Sequence, residues 1–92
     1  MALLTTDQVD TAHQPLQWSR EGDELVRVVK CKGFAGSLKF VNAVGELAEI
    51  ADHHPDIDIR WDTVTLRLST HSEGGLTQKD VDLATAIDKI GV

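Results

Sequence analysis

Three of the four histidines in this 92-residue chain lie in its second half, near two carboxylates and a tryptophan. In chain order the group consists of Glu49, His53-His54-Pro55, Trp61, His71 and Asp80. Imidazole titrates near neutral pH, so histidines that meet in a fold can exchange protons with a substrate or bind a metal ion. The sequence therefore predicts a site for acid–base chemistry or for metal binding.

A metal site is the alternative to acid–base chemistry. Three imidazoles can hold a zinc ion and leave one coordination position open. His53 and His54 are adjacent at a predicted helix end, where neighbouring side chains point apart, whereas ligand pairs usually have i, i+4 spacing on a helix or i, i+2 spacing on a strand. We therefore favour acid–base chemistry and expect no metal at this site.

Glu49 and Asp80 each have a structural and a functional interpretation. Glu49 lies four residues before His53, so we expect both on one helical face, where the carboxylate either is simply exposed or orients an imidazole. Asp80 lies three residues after Thr77, a spacing that predicts a capping box at the start of a helix. From that position Asp80 could also contact a substrate.

The histidines and Trp61 also have simpler structural roles. His53 and His54 follow a long predicted helix, whose last carbonyls favour polar or cationic side chains. His71 is expected to end a strand at the same edge of the sheet. Trp61 either belongs to the core or, at the end of a strand beside His54, forms a stacking wall for a ligand.

The composition indicates one small domain, residues 1–92, with a net charge of −6 from fifteen acidic and nine basic residues. This acidic balance argues against nucleic-acid binding and against an anionic membrane surface. It is compatible with a neutral small molecule. Cys31 is the only cysteine, and no signal peptide or bilayer-spanning apolar stretch is evident, so we expect a cytoplasmic protein.

Apolar periodicity and turn residues predict three helices and four strands. The helices are expected from residue 5 to before residue 15, over 34–52 and after 77, and the strands over 17–20, 25–32, 57–61 and 63–70. The order α-β-β-α-β-β-α predicts an α+β fold, a four-stranded antiparallel sheet with helices packed on one face. The wide apolar stripe of the central helix, with Gly45 in it, indicates packing against a second copy of the chain.

The spacing from Glu49 through His53-His54-Pro55, Trp61 and His71 to Asp80 resembles that of the pterin-4a-carbinolamine dehydratases, also called dimerisation cofactors of a homeodomain transcription factor. The segment from Ser69-Thr70-His71 through Gly74-Gly75-Leu76-Thr77 is similar to the strand-loop-helix of that family. The resemblance covers nearly the whole chain without a gap in the motif.

The resemblance implies dehydration of a 4a-hydroxytetrahydropterin to the quinonoid dihydropterin, which recycles the cofactor of aromatic amino-acid hydroxylases. It implies neither a metal nor an organic cofactor, and it implies a homodimer or homotetramer. His53 and His71 would carry the acid–base work, with His54 positioning the pterin. Which histidine is the acid and which is the base stays open.

Further residues take substrate-binding roles by the same resemblance; these are Glu49, Pro55, Trp61, Thr70 and Asp80. The family also includes members that act mainly by binding proteins, as transcriptional dimerisation cofactors or as assembly factors. A non-catalytic protein-binding role is therefore the alternative function. The presence of all three histidines favours catalysis.

Overall fold

A computed structural model describes residues 3–13 and 17–91, apart from the side chains of residues 12 and 13. The predicted end of the first helix near residue 15 and the side chain of His13 therefore lie outside the described residues. The elements are α1 (Thr6–His13), β1 (Ser19–Glu21), β2 (Glu24–Lys30), α2 (Gly33–Ala51), β3 (Asp56–Arg60), β4 (Thr63–Leu68) and α3 (Gln78–Ile87). The predicted order of helices and strands is confirmed.

The four strands form one antiparallel sheet in the order β1-β2-β4-β3. Two hairpins, β1–β2 and β3–β4, are joined by α2 and pair through β2 and β4. In the first hairpin Gly22 has φ +59°, a conformation that glycine adopts without steric cost. The predicted α+β fold with a four-stranded antiparallel sheet is thus confirmed.

The core lies between the sheet and the helices. Alternate residues of the central strands point into it, because successive side chains of a strand face opposite sides. The strand residues of the core are Leu25, Val29, Val64, Leu66 and Leu68, and the helices contribute Phe40, Val44 and Ala48 from α2 and Leu83, Ala84 and Ile87 from α3. On the other face of the sheet Val28 is exposed.

A buried ion pair joins the end of α3 to the first hairpin. Arg27 lies on the core side of β2, between Leu25 and Val29, and its Nη1 donates to Asp88 Oδ1 at 3.0 Å. Asp88 also accepts the indole N–H of Trp18 at 2.8 Å. A buried cation needs such a partner, so this contact fixes α3 against β1 and β2.

The C-terminus of α2 differs from the prediction. Asp52 adopts a left-handed conformation with φ 50° and ends the helix at Ala51, and the His53 N–H bonds back to the Ala48 carbonyl at 3.1 Å. His53 is therefore outside the helix and does not share a helical face with Glu49. The expectation that these two side chains lie on one face was wrong. The helix ends at Ala51, before His53, and does not continue to the residue before Pro55.

The connection from β4 to α3 is more ordered than predicted. β4 ends at Leu68, and a single 3-10 turn (His71–Glu73) follows in place of an irregular loop. The Thr70 N–H donates to the Gly75 carbonyl at 2.8 Å, which closes the turn. His71 therefore begins this turn and does not end the strand, which corrects the sequence interpretation.

Candidate active site

A histidine–carboxylate pair lies at the centre of the predicted site. His53 Nε2 is 2.5 Å from Asp80 Oδ1, although the two residues are 27 positions apart in the sequence. The Asp80 side chain is fully buried, and the His53 side chain is 11% exposed. A buried carboxylate accepts hydrogen bonds, so this contact fixes the orientation of the imidazole ring.

The second oxygen of Asp80 is held by the start of α3 and by the preceding turn. Oδ2 accepts the Thr77 N–H at 2.9 Å and the Thr70 hydroxyl at 2.7 Å. Asp80 occupies the first turn of α3, where the helix dipole favours a negative charge. The predicted capping box of Thr77 and Asp80 is confirmed, and the same carboxylate contacts His53, so capping does not exclude a role in the site.

A second histidine–carboxylate pair lies nearer the surface. His54 Nε2 is 2.5 Å from Glu49 Oε2, and the two side chains are 57% and 78% exposed. Glu49 is exposed and contacts an imidazole, which belongs to His54 rather than to His53. Solvent screens this pair, so its contribution to stability is small.

The third histidine is brought to the same edge of the sheet by strand pairing. Asp56 at the start of β3 pairs with Arg67 near the end of β4. The segment before β3, which contains His53, His54 and Pro55, therefore lies near the segment after β4, which contains Thr70 and His71. Thr70 and His53 meet on the same Asp80 carboxylate, and the neighbouring His71 is exposed.

Trp61 lies away from this group. It follows β3 at the end opposite His54, five residues from Asp56 and therefore roughly 16 Å along the strand. Its side chain is 69% exposed, and its carbonyl accepts the Ser37 hydroxyl at 2.6 Å. Trp61 is therefore not part of the core of this chain, because the turn after β3 exposes it to solvent. It also does not lie beside the His54 of the same chain, because the two residues flank opposite ends of β3. Both expectations were wrong.

A cavity of about 240 Å³ adjoins the buried pair. It lies between α2 and α3, and its walls include His53, Leu47, Ile50 and Leu83. Lys79 and Asp82 also line this cavity, and its volume lies below the roughly 300–1,000 Å³ that is typical of small-molecule sites. In the part of the chain that the structure describes, no three His, Cys, Asp or Glu side chains are grouped so that they could hold a metal ion.

The contacts of the site explain what the sequence could not reveal. Thr77 was predicted only as a helix cap, yet its hydroxyl also lies 2.7 Å from that of Thr70. No spacing rule connects a residue after α2 with the first turn of α3. Only the tertiary fold links His53 to Asp80, and Thr77 to Thr70.

The fold and the site together define a small α+β protein with histidine–carboxylate pairs suited to proton transfer. The chain belongs to the pterin-4a-carbinolamine dehydratase family, since the family model described as pterin 4 alpha carbinolamine dehydratase matches residues 2–90. The predicted resemblance is therefore confirmed. Within residues 3–13 and 17–91, no helix is long and apolar enough to cross a lipid bilayer.

Curated relatives match along nearly their whole length. A protein of Nocardia farcinica is 54% identical over 89 residues, which cover 96% of this chain and 94% of the relative. A protein of Mycobacteroides abscessus is 56% identical over 89 residues, which cover 96% and 95%. Both are provisionally named pterin-4-alpha-carbinolamine dehydratase. The family and these names support dehydratase activity.

Two solved structures share the fold. A transcriptional coactivator/pterin dehydratase from Brucella melitensis has a TM-score of 0.87 and 30% identity, with 92% of this chain and 94% of that chain covered. A pterin dehydratase-like protein, identified as a RuBisCO assembly factor in the alpha-carboxysome, has a TM-score of 0.64 and 19% identity, with 84% and 89% covered. At that lower identity the likeness concerns the fold alone.

Proposed function

We propose that this protein dehydrates a 4a-hydroxytetrahydropterin to the quinonoid dihydropterin and water by histidine acid–base catalysis. The observation that carries the proposal is the buried His53–Asp80 pair, at the same edge of the sheet as His54 and His71. Membership of the dehydratase family and the names of relatives more than 50% identical support the same reaction.

The reaction requires two proton transfers. The C4a–O bond breaks while an acid protonates the departing hydroxyl, which leaves as water. A base removes a proton from a ring nitrogen, and the electron pair of that N–H bond forms the new double bond of the quinonoid product. Imidazoles suit both steps because they exchange protons near neutral pH.

The contacts of His53 and His54 support a division of roles. His53 and His71 carry the acid–base work, with Asp80 holding the ring of His53. His54 positions the pterin, and its exposed pair with Glu49 forms the outer side of the site. Pro55 lies at the same edge and belongs to the substrate-binding set, whereas Thr70 is buried and its hydroxyl donates to Asp80, so it does not contact the substrate directly. Trp61 could reach a pterin only from another copy of the chain, because it lies at the far end of β3.

The exposed face of α2 supports a proposal about the assembly state. Phe34, Leu38 and Ile50 are 51%, 42% and 83% exposed on this helix. A Cβ added to Gly45 would have no neighbour within 4 Å, although a glycine inside a helix costs about 1 kcal/mol relative to alanine. We propose that a second copy packs closely against this face and that the protein is a homodimer or homotetramer.

The proposed dehydratase function has two further parts. The protein acts in the cytoplasm, and its reaction recycles the pterin cofactor of aromatic amino-acid hydroxylases.

Single histidine variants test the assignment of roles. We expect His53→Ala and His71→Ala to lose most of kcat while retaining the fold, because each removes a proton-transfer group. His54→Ala should chiefly raise KM. His13→Ala is the matched control, since the sequence places His13 outside the group. Full turnover by a folded His53→Ala or His71→Ala variant would contradict the assignment.

The second candidate function is protein binding without catalysis. It is favoured by the exposed apolar face of α2 and by the Brucella melitensis structure, described as a transcriptional coactivator as well as a pterin dehydratase. A folded wild-type protein that does not accelerate dehydration, together with a stable complex on the α2 face that Leu38→Glu abolishes, would favour this alternative.

A further inference from the structure

Four hydrogen bonds around Asp80 have directions that can be assigned by counting protons. The Thr77 N–H and the Thr70 hydroxyl both donate to Oδ2, at 2.9 and 2.7 Å. A threonine hydroxyl has one proton, and that of Thr70 points to Asp80, so the 2.7 Å contact between the two threonines is a donation from Thr77 to Thr70. Two donors therefore point to Oδ2, and an ionised carboxylate can only accept, so Oδ1 accepts a proton from His53 Nε2.

We propose that Thr70 is a positioning residue that acts through Asp80 to hold His53 as its Nε2–H tautomer, so that Nδ1 is the atom that exchanges protons with the substrate. The catalytic part of this inference rests on the proposed dehydratase function. The tautomer itself follows from the contacts of an ionised Asp80, without reference to the reaction.

The burial of the group strengthens this inference. Thr77 and Asp80 are fully buried and Thr70 is 5% exposed. Water cannot easily replace a missing partner at such depth, so each donor and acceptor depends on its neighbour. The Thr77 hydroxyl orients Thr70, Thr70 orients the carboxylate, and the carboxylate sets which nitrogen of His53 carries the proton.

The matched substitutions are Thr70→Val, which removes the hydroxyl at nearly constant shape, and Thr70→Ser, which restores it. Thr85→Val is the control, because the Thr85 hydroxyl lies on α3 away from Asp80 and donates to the Val81 carbonyl within the helix, at 2.8 Å. The first readout is the ¹⁵N spectrum of histidine-labelled protein, with the His53 signals assigned from a His53→Gln sample. The second is kcat and KM for dehydration.

We expect neutral His53 in the wild type to be protonated at Nε2 and unprotonated at Nδ1. In Thr70→Val the preference for this tautomer should weaken, and kcat should fall about tenfold, part of the ~10²–10⁴ that acid–base catalysis supplies. KM should change less than about twofold, since a positioning residue does not touch the substrate. Thr70→Ser and Thr85→Val should behave like the wild type in both readouts.

Two results would overturn the inference. One is a wild-type spectrum in which neutral His53 is protonated at Nδ1; this test needs no variant and holds even if Thr70→Val does not fold. The other is a folded Thr70→Val protein with the wild-type tautomer and kcat. If the wild type shows the expected tautomer but no turnover, the proposed function fails and the hydrogen-bond assignment stands.

Discussion

Asp80→Asn changes one atom of the buried pair and should reverse the proton arrangement of His53. The amide oxygen can keep the two bonds that Oδ2 now accepts from Thr70 and Thr77. The amide NH₂ group then faces His53 Nε2 and can only donate to it. The opposite amide orientation would place NH₂ against the Thr77 N–H, so it is disfavoured.

The consequence for catalysis is large. Neutral His53 must offer a lone pair at Nε2 and carry its proton on Nδ1, the reverse of the arrangement inferred for the wild type. We expect kcat to fall by roughly 10²–10⁴, the range that a positioned acid–base group supplies. KM should change little, because Asp80 is fully buried and lies behind the imidazole.

The consequence for stability is moderate. Three hydrogen bonds to a charged acceptor become bonds to or from a neutral amide, each weaker by about 1 kcal/mol. Relief from burying a charge offsets part of this loss. We expect a net destabilisation of about 1–3 kcal/mol, out of roughly 5–14 kcal/mol for a chain of 92 residues.

Urea unfolding and steady-state kinetics measure the two effects separately. Asp58→Asn is the matched control, because Asp58 is an exposed carboxylate on β3 that pairs with Arg60. It should leave both readouts within error of the wild type. A folded Asp80→Asn protein with kcat within threefold of the wild-type value would refute the reasoning.

Three further predictions concern the ion pair, the outer histidine and the assembly. Asp88→Ala removes the carboxylate partner of the buried Arg27 guanidinium, which keeps a neutral contact to Gln17, and should lower the free energy of unfolding in urea by about 3–5 kcal/mol; a loss below 1 kcal/mol would contradict this role. Glu49→Gln should change stability by less than about 0.5 kcal/mol, since its pair with His54 is exposed, but should raise KM several-fold; an unchanged KM counts against the pair. Leu38→Glu should reduce the assembly to smaller species in sedimentation velocity, and a wild-type profile would exclude the α2 face as the interface.

The elements of the fold were predictable because their signals are local. Alternating Val64, Leu66 and Leu68 identify β4 and its core face, and Thr77 with Asp80 identifies the start of α3. The early end of α2 was not predictable from Pro55, because Asp52 supplies a left-handed cap, a conformation that aspartate tolerates but does not require. The 3-10 turn at His71 depends on the Thr70–Gly75 pairing, which is set by the surrounding chain.

The sequence supplied candidate site residues, but it did not predict which of them are in contact. Residue types and spacing selected His53, His54 and His71 without any structure. The assignment of Glu49 to His53 failed, because it assumed that the helix continues through His53. Trp61 was assigned to the site from its spacing in the sequence alone. It lies at the opposite end of β3 from His54, because β3 runs between the two residues.

The rate of dehydration of a synthetic 4a-hydroxytetrahydropterin tests the central claim most directly. We expect purified wild-type protein to accelerate loss of water well above the buffer rate, equally with and without EDTA. A folded protein with His53→Ala and His71→Ala combined should return the rate to near the buffer value. Wild-type protein that is folded yet leaves the buffer rate unchanged, or a double variant that retains full activity, would contradict histidine acid–base dehydration.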